Sequence, residues 1–95
     1  MTQPNYVQQM IRDLDVRIPH CDIDLLELYA LLALTRGKDT TLEDVHDAWS
    51  IWRNASNPTH RSLLPFCDLA PDVQELDRKY MEAIHAAAEA VTAHA

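Results

Sequence analysis

Glycine is almost absent from this 95-residue chain, which contains a single one, Gly37. Sheet proteins with tight turns need residues that accept positive φ angles, and glycine is the usual choice. Its scarcity therefore argues against a turn-rich β fold. The same scarcity excludes a glycine-rich loop of the kind that holds phosphates through backbone N–H groups.

Basic residues are also scarce, with 8 lysines and arginines against 15 aspartates and glutamates and a formal net charge of −7. A nucleic-acid-binding protein needs a basic stripe to neutralise phosphates, and the longest basic run here is the pair Arg78-Lys79. An acidic surface is also repelled by anionic membranes, and no apolar run approaches the ~20 residues that span a bilayer. We therefore expect neither a nucleic-acid partner nor a membrane partner.

Cysteine occurs twice, as Cys21 and Cys67, and residues 1–5 lack the charged and apolar regions of a signal peptide. We therefore predict a cytoplasmic location, where thiols stay reduced. A free cysteine in such a protein usually packs as a small hydrophobic residue. A disulfide is accordingly not expected.

Hydrophobic residues make up 47% of the chain and recur at helical spacing. The pattern predicts a single all-α domain over residues 1–95, a compact bundle of four to five helices with a long loop. The sequence leaves open a short two-stranded element near residues 63–66. The N-terminal helices fall within residues 1–40, at about 6–14 and 22–36. The second of them is apolar on nearly every side and is expected to lie at the centre of the bundle.

Capping signals place the remaining helix ends. Gly37 is predicted to close the second helix in a left-handed conformation. The third helix is predicted to begin after Thr41, whose side chain can form a capping box with Asp44, and to end before Asn57-Pro58. After a loop, a last helix is predicted to start at Pro71.

Two further expectations concern packing and the C-terminal end. Leucines of the second helix, among them Leu28 and Leu31, are predicted to form the core. Their predicted partners are Val45, Trp49, Trp52, Leu76 and Tyr80. The alanine-rich end of the last helix, within residues 85–95, is expected to fray.

Side chains that could bind a metal or catalyse a reaction do not form a recognisable pattern. The 5 histidines lack the spacing of zinc ligands, and the adjacent His20, Cys21 and Asp22 cannot easily converge on one ion. Cys67 has no histidine near it in sequence that would activate it as a nucleophile. We therefore predict no catalytic residue, no metal site and no cofactor, and we expect that the protein is not an enzyme.

One arc of the third helix carries an unusual set of side chains. His46, Trp49 and Arg53 follow one another at helical spacing, and Trp52 lies on the adjoining shoulder. An indole offers a flat stacking surface, and an arginine one turn away can bind a phosphate or carboxylate through two N–H groups. A nucleotide would suit the site, with its base on Trp49 and its phosphate on Arg53. Tryptophans at this spacing more often belong to a hydrophobic core. Spacing alone therefore favours a core role for Trp49 over a ligand-binding role.

The order of residues 43–53 resembles the first helix of the ryanodine-receptor repeat domain: acidic, Asp, aliphatic, His, two residues, Trp, three residues, Arg. Residues 60–69 are similar to that family's loop: His, two residues, Leu, aliphatic, Pro, aromatic, two residues, Leu. The resemblance covers about residues 43–84 and marks a repeat-like segment at 41–84. The chain departs from the family at residues 54–59, which lack its glycine and aromatic residues, and at Arg61, where proline is usual.

The resemblance implies a non-catalytic module that senses or sequesters an adenine-type or cyclic nucleotide, as a single bacterial or bacteriophage copy of the repeat. It implies that Trp49 stacks on the base, Arg53 holds the phosphate and His60 supports the loop or contacts the ligand. The full set of predicted ligand-binding residues is Trp49, Arg53, His60, His46, Trp52 and Arg61. Because the receptors pair their repeats, a homodimer could complete the site.

The alternative interpretation is a small phage or bacterial regulator that binds a host protein through a helix face. Such a protein would show a continuous exposed apolar patch and a buried Trp49. An anion-binding pocket would instead bring Arg53, His60 and Arg61 together on an open cleft beside that tryptophan.

Overall fold

The computed structural model describes residues 3–92, and the regular secondary structure in that range is helical. The α-helices are α1 (Tyr6–Arg17), α2 (Ile23–Thr35), α3 (Leu42–Ser56), α4 (Pro71–Glu75) and α5 (Arg78–Thr92), and short 3₁₀ helices occur at Gly37–Asp39 and Phe66–Asp68. The predicted all-α fold is confirmed. None of the helices within residues 3–92 has both the length and the apolar composition needed to span a bilayer. The predicted fraying falls in part on residues 93–95, outside the described residues.

Reciprocal hydrogen bonds account for the start of α1. The Asn5 side-chain oxygen accepts from the Gln8 N–H at 2.9 Å, and the Gln8 side-chain oxygen accepts from the Asn5 N–H at 2.9 Å. This capping box satisfies N–H groups that have no partner within the helix. Helix α1 ends at Arg17, three residues beyond its predicted end. Ile18, the next residue, is buried.

The connection between α2 and α3 follows the capping signals in the sequence. Gly37 has a φ of 56°, the left-handed conformation predicted for it. Thr41 and Asp44 form the predicted capping box, with the Asp44 N–H 3.1 Å from the Thr41 hydroxyl. Arg36 also donates to the Asp44 carboxylate at 3.0 Å. Burial raises the pKa of Asp44, but the hydrogen bonds from Thr41 and Arg36 outweigh it and leave that pKa below its usual value.

The core lies where α1, α2, α3 and α5 meet. The largest fully buried side chains come from all four of these helices: Tyr29, Met10, Leu14, Leu26, Ile84 and Val45. A hydrogen bond between the His85 ring and the Thr40 carbonyl, at 2.7 Å, joins α5 to the residues before α3. The short helix α4 contributes no buried residue.

Helix α2 packs against α1, α3 and α5, as expected for a helix at the centre of the bundle, but it leaves one side uncovered although apolar residues occur on nearly every side. Leu25 and Leu26 are buried, whereas Ile23 and Leu31 are 55% and 56% exposed. Leu28 packs only partly against the core. The neighbours of α2 are α1, α3, α5 and the turn that follows it, and together they leave one side of the helix open.

The single last helix predicted from the sequence is two helices, broken at Leu76 and Asp77. The Asp77 backbone carbonyl accepts from the N–H groups of Tyr80 and Met81, at 3.1 and 3.0 Å, as a residue directly before a helix does. The break turns Leu76 outward, where it is 67% exposed, so its predicted place in the core is wrong. The break also directs Asp77 to a different surface from the one that a continuous helix would give it.

The loop between α3 and α4 contains no strand within residues 57–70, so the two-stranded element that the sequence left open does not form. Helical side chains satisfy its carbonyl groups instead. The Gln74 amide donates to the carbonyls of Phe66 and Leu69 at 2.9 and 3.2 Å, and the His46 ring nitrogen Nε2 lies 2.7 Å from the Leu64 carbonyl. Because these groups already have partners, the loop has no need of a neighbouring strand.

Candidate ligand-binding cleft

A cleft of about 540 Å³, here called the α3 cleft, opens between α3 and the segment formed by α4 and α5. Helix α2 lies at its base, and the turn after α1 and the loop after α3 border it. Its volume lies within the range of small-molecule sites, roughly 300–1,000 Å³. Its lining is rich in ring-bearing side chains: Tyr29, His46, Trp49, Trp52, His60 and Tyr80.

Most of the residues predicted to bind a ligand line this cleft. They are His46, Trp49, Trp52, Arg53 and His60. Arg61 does not line the cleft and is exposed on the loop. The structure therefore brings Arg53 and His60 together beside a half-buried Trp49 but leaves out the predicted second arginine. What these residues bind stays a prediction.

The guanidinium group of Arg53 lies against two indoles. Its Cζ is 4.4 Å from the ring centroid of Trp52 and 5.8 Å from that of Trp49. Its Nε is buried and makes no hydrogen bond with any residue that the structure describes. No carboxylate within residues 3–92 forms an ion pair with it. An unpaired buried donor costs about 1–3 kcal/mol, so this group is suited to a partner from outside the chain.

Trp49 lies between two imidazole rings. Its ring centroid is 5.8 Å from that of His46, with the planes 24° apart, and 5.1 Å from that of His60, with the planes 81° apart. Both arrangements are favourable for aromatic pairs. Trp49 is therefore neither a fully buried core residue nor a free platform. An incoming ring can meet only the part of the indole that the two histidines leave open.

Hydrogen bonds hold both histidines in place. His46 is 3% exposed and is fixed by the Leu64 carbonyl. The Nδ1 atom of His60 accepts from the Ser62 N–H at 3.0 Å, which orients its ring across the edge of Trp49. The loop after α3 is thus attached to the helix through the two rings that flank Trp49.

The turn between α1 and α2 fixes the indole of Trp52. His20 has a φ of 67°, a conformation that few residues with a side chain adopt. Two residues later, the Asp22 carboxylate accepts from the Asp24 N–H at 2.8 Å and caps α2. The same carboxylate oxygen accepts from the indole N–H of Trp52 at 3.3 Å. Trp52 is therefore held at one end by this carboxylate and covered on its ring by Arg53.

Sequence reasoning left several polar residues of the cleft out of the predicted site, among them Tyr29, Asp77 and Lys79. Asp77 lines the cleft because of the break between α4 and α5. Burial raises the pKa of its carboxyl, and the charge of His46 partly lowers it. A signal was available for Asp77, since aspartate is unfavourable inside a helix and common directly before one. No such signal was available for Tyr29 or Lys79. A tyrosine in an apolar helix resembles an ordinary core residue, and a lysine in a charged pair resembles an ordinary surface residue.

Cys21 is the thiol that borders the cleft, and it is not joined to Cys67. Burial raises the pKa of the Cys21 thiol, and the carboxylates of Asp22 and Asp15 raise it further. A thiol held in its protonated form is a poor nucleophile. Among residues 3–92, no group of three or more His, Cys, Asp or Glu side chains is placed to hold a metal ion.

Comparison with protein families gives a match over residues 5–89 to a family described as Domain of unknown function (DUF7701). The match includes the N-terminal helices that the ryanodine-receptor resemblance left out, and it shows that the assignment to that repeat family is wrong. The two motifs behind the resemblance describe an amphipathic helix and a loop packed on it, a pattern that unrelated helical proteins can share. No curated protein and no solved structure matches the chain.

Proposed function

We propose that this chain, which belongs to the family described as Domain of unknown function (DUF7701), is a non-catalytic module that binds a nucleotide of the adenine type in the α3 cleft. The family description carries no information on the ligand, so the proposal depends on the cleft. The observation that carries it is Arg53, whose guanidinium lies against an indole while its buried Nε has no partner among the described residues.

Positive charge in the cleft supports an anionic ligand. Arg53 and Lys79 both line it, and neither forms an ion pair with a described residue, although the chain as a whole carries a formal net charge of −7. A guanidinium presents parallel N–H groups that match the oxygens of a phosphate or carboxylate. Stacking on the rings of Trp49 and Trp52 holds this group in place before a ligand arrives.

The rings of the cleft support a flat ligand. The two indoles provide planar, apolar surface against the guanidinium, the Tyr80 ring adds more such surface to the cleft, and flat rings pair favourably with it. Adenine nucleotides combine a flat ring with a phosphate, which the cleft would contact through different side chains. All the groups named here come from one chain, so the proposed site does not require a homodimer.

The proposal is non-catalytic because two potential nucleophiles at the cleft, the Cys21 thiol and the Tyr29 phenol, are held in their protonated forms. The protonated Cys21 thiol is a weak nucleophile. Burial raises the pKa of the Tyr29 phenol, and the charge of Asp77 raises it further, so that this group also stays protonated. Both can donate hydrogen bonds to a bound molecule. The proposal keeps the cytoplasmic location predicted from the sequence.

Binding of a host protein is a second candidate function, supported by the open side of α2. Ile23, Leu31 and Leu34 are 55%, 56% and 37% exposed there. The ligand-binding proposal is favoured because exposed apolar side chains are common on monomeric proteins. A buried guanidinium nitrogen without a partner is rare, and its need for a polar partner points to the cleft.

Titration with adenosine monophosphate (AMP), cyclic AMP, adenosine and inorganic phosphate tests the proposal. Both tryptophans line the cleft, so a bound ring should change their fluorescence, and calorimetry gives an independent affinity. AMP or cyclic AMP is expected to bind saturably and more tightly than adenosine. Arg53→Met should weaken binding at least about tenfold, because hydrogen bonds to charged groups contribute about 1.5–3 kcal/mol. Arg61→Met removes the same charge from the loop outside the cleft and should leave the affinity unchanged.

Several outcomes would contradict the proposal. Absence of saturable binding by any of the four ligands would overturn it. Equal losses in Arg53→Met and Arg61→Met, with circular dichroism unchanged in both, would show that the effect of charge is not local to the cleft. Adenosine binding as tightly as AMP would remove the role of Arg53 as the phosphate partner.

A further inference from the structure

The carboxyl of Asp77 occupies an unusual position for the residue directly before a helix. Its backbone carbonyl accepts from the N–H groups of Tyr80 and Met81, which places it at the start of α5. An aspartate there commonly turns its side chain back to accept from the first N–H groups of the helix. The Asp77 carboxyl accepts no hydrogen bond from any residue within 3–92, and the residue lines the α3 cleft instead. The carboxyl is thus available to a molecule in the cleft.

Tyr29 brings a second unpaired polar group to the same cleft. The residue is 1% exposed, and its ring stacks on that of Tyr80 with centroids 5.8 Å apart. Its hydroxyl forms no hydrogen bond with the described residues, and that oxygen is not among the fully buried atoms without a partner, so it is open to the cleft that the residue lines. Asp77 lines the same cleft, and the pKa of the Tyr29 phenol is raised by burial first and by the charge of Asp77 second, so the phenol stays protonated there.

We propose that Tyr29 and Asp77 form the hydrogen-bonding base of the α3 cleft and select a ring that carries an amino group beside a ring nitrogen. The inference rests on the proposed function and identifies the part of the ligand that these two residues recognise. An ionised carboxylate only accepts hydrogen bonds, whereas a protonated phenol can donate one. The pair therefore offers an acceptor beside a donor. The amino group and ring nitrogen of adenine are complementary to that order.

Discrimination between adenine and hypoxanthine follows from the same order of acceptor and donor. Hypoxanthine differs from adenine by a carbonyl in place of the amino group and an N–H in place of the adjacent ring nitrogen, so its edge has the reverse order. With the phosphate held on Arg53, the ring cannot turn over to exchange the two positions. The carbonyl of hypoxanthine would then face the Asp77 carboxylate, and two acceptors facing each other disfavour binding.

Affinities for AMP and inosine monophosphate (IMP) test the inference, because these nucleotides differ only at the edge that Tyr29 and Asp77 would contact. Calorimetry with the wild-type chain is expected to show tighter binding of AMP by at least about tenfold. Asp77→Asn should reduce that ratio to within about threefold, since an amide can donate to a carbonyl as well as accept. Asp72→Asn removes a carboxylate from α4 outside the cleft and should leave the ratio unchanged.

A second pair of variants tests the hydroxyl. Tyr29→Phe keeps the ring that stacks on Tyr80 and removes the hydroxyl alone, and it should weaken AMP binding about two- to tenfold. Tyr6→Phe, at an exposed tyrosine of α1, is the matched control and should have no effect. Thermal melting of each variant separates a loss of affinity from a loss of folding.

The possible failures are distinguishable. Equal affinities of the wild-type chain for AMP and IMP, a preference that Asp77→Asn leaves intact, or tighter binding of guanosine monophosphate than of AMP would each overturn this inference. If AMP binding still required Arg53 in those cases, the proposed function would stand. If none of these nucleotides bound to the wild-type chain, both proposals would be overturned.

Discussion

The guanidinium of Arg53 lies 4.4 Å from the ring centroid of Trp52, while its own Nε is buried without a hydrogen-bond partner among the described residues. The contact with the indole is favourable, and the unpaired nitrogen is unfavourable. The two effects are similar in size, so the pair contributes little to folding. Such a group is better suited to holding a ligand than to stabilising the empty protein.

Arg53→Met should accordingly leave the free energy of unfolding of the ligand-free protein unchanged, or raise it by up to about 1 kcal/mol. The substitution loses a cation–π contact of roughly 0.5–2 kcal/mol. It also removes an unpaired donor that costs about 1–3 kcal/mol, and the thioether keeps contact with the rings. Urea denaturation measures the difference. A loss above about 2 kcal/mol would mean that the guanidinium is a structural group.

Two leucines of α2 provide a matched test of the core. Leu26 is 2% exposed and Leu31 is 56% exposed. Leu26→Ala is expected to lower the free energy of unfolding by about 2–5 kcal/mol, because it opens a cavity in the core. Leu31→Ala should change it by less than about 1 kcal/mol, because water already covers much of that side chain. Similar losses for both variants in chemical denaturation would contradict the exposed side assigned to α2.

The cap of α3 can be tested at one hydroxyl. Thr41→Ala removes the side-chain oxygen that accepts from the Asp44 N–H at 3.1 Å and should cost about 0.5–2 kcal/mol. Thr41→Ser retains that oxygen and should remain close to wild type. Thermal denaturation compares the three proteins, and equal melting temperatures for all of them would show that the cap is not a source of stability.

Asp77→Asn is expected to raise the melting temperature at neutral pH. Burial raises the pKa of this carboxyl in the folded state, so folding favours its protonated form. Its contribution to stability is therefore fully present at acidic pH and is lost as the pH rises through the raised pKa. The advantage of the variant should disappear as the pH falls below the usual carboxyl value of about 4.

Asp47→Asn serves as the control for that measurement, because Asp47 is exposed on α3. It should not reproduce the pH-dependent gain. If the melting temperatures of Asp77→Asn and wild type stayed equal over roughly pH 3 to pH 8, where a raised carboxyl pKa makes stability depend on pH, the burial assigned to the carboxyl would be wrong. A gain in stability together with a loss of ligand preference would identify Asp77 as a residue retained for binding.

The sequence predicted best those features that depend on neighbouring residues. The Thr41–Asp44 capping box and the left-handed Gly37 require only contacts within a few residues, and both were located correctly. The break at Asp77 and the exposure of Leu31 depend on how the helices pack, which helical spacing does not specify. Contacts between helices, rather than the local sequence, determine both features.

The cleft residues likewise include some that local spacing predicted and some that depend on tertiary contacts. His46, Trp49 and Arg53 share one arc of α3, so their helical spacing alone placed them together. Tyr29 lies on α2 and Asp77 in the break between α4 and α5, so both join the α3 residues only in the folded chain. Arg61 was included as a basic residue beside His60 that could complete an anion-binding pocket, and no local pattern turns its side chain toward the cleft.

Helix α4 packs mainly against α3, and none of its residues is buried. The Gln74 amide attaches it to the preceding loop through the carbonyls of Phe66 and Leu69. One side of the cleft is thus built from a segment on which the core does not depend. Substitutions there can change what the cleft accepts at little cost in folding free energy. Under the proposed function, the ligand preference of this chain can therefore be altered through α4 while the bundle of α1, α2, α3 and α5 stays the same.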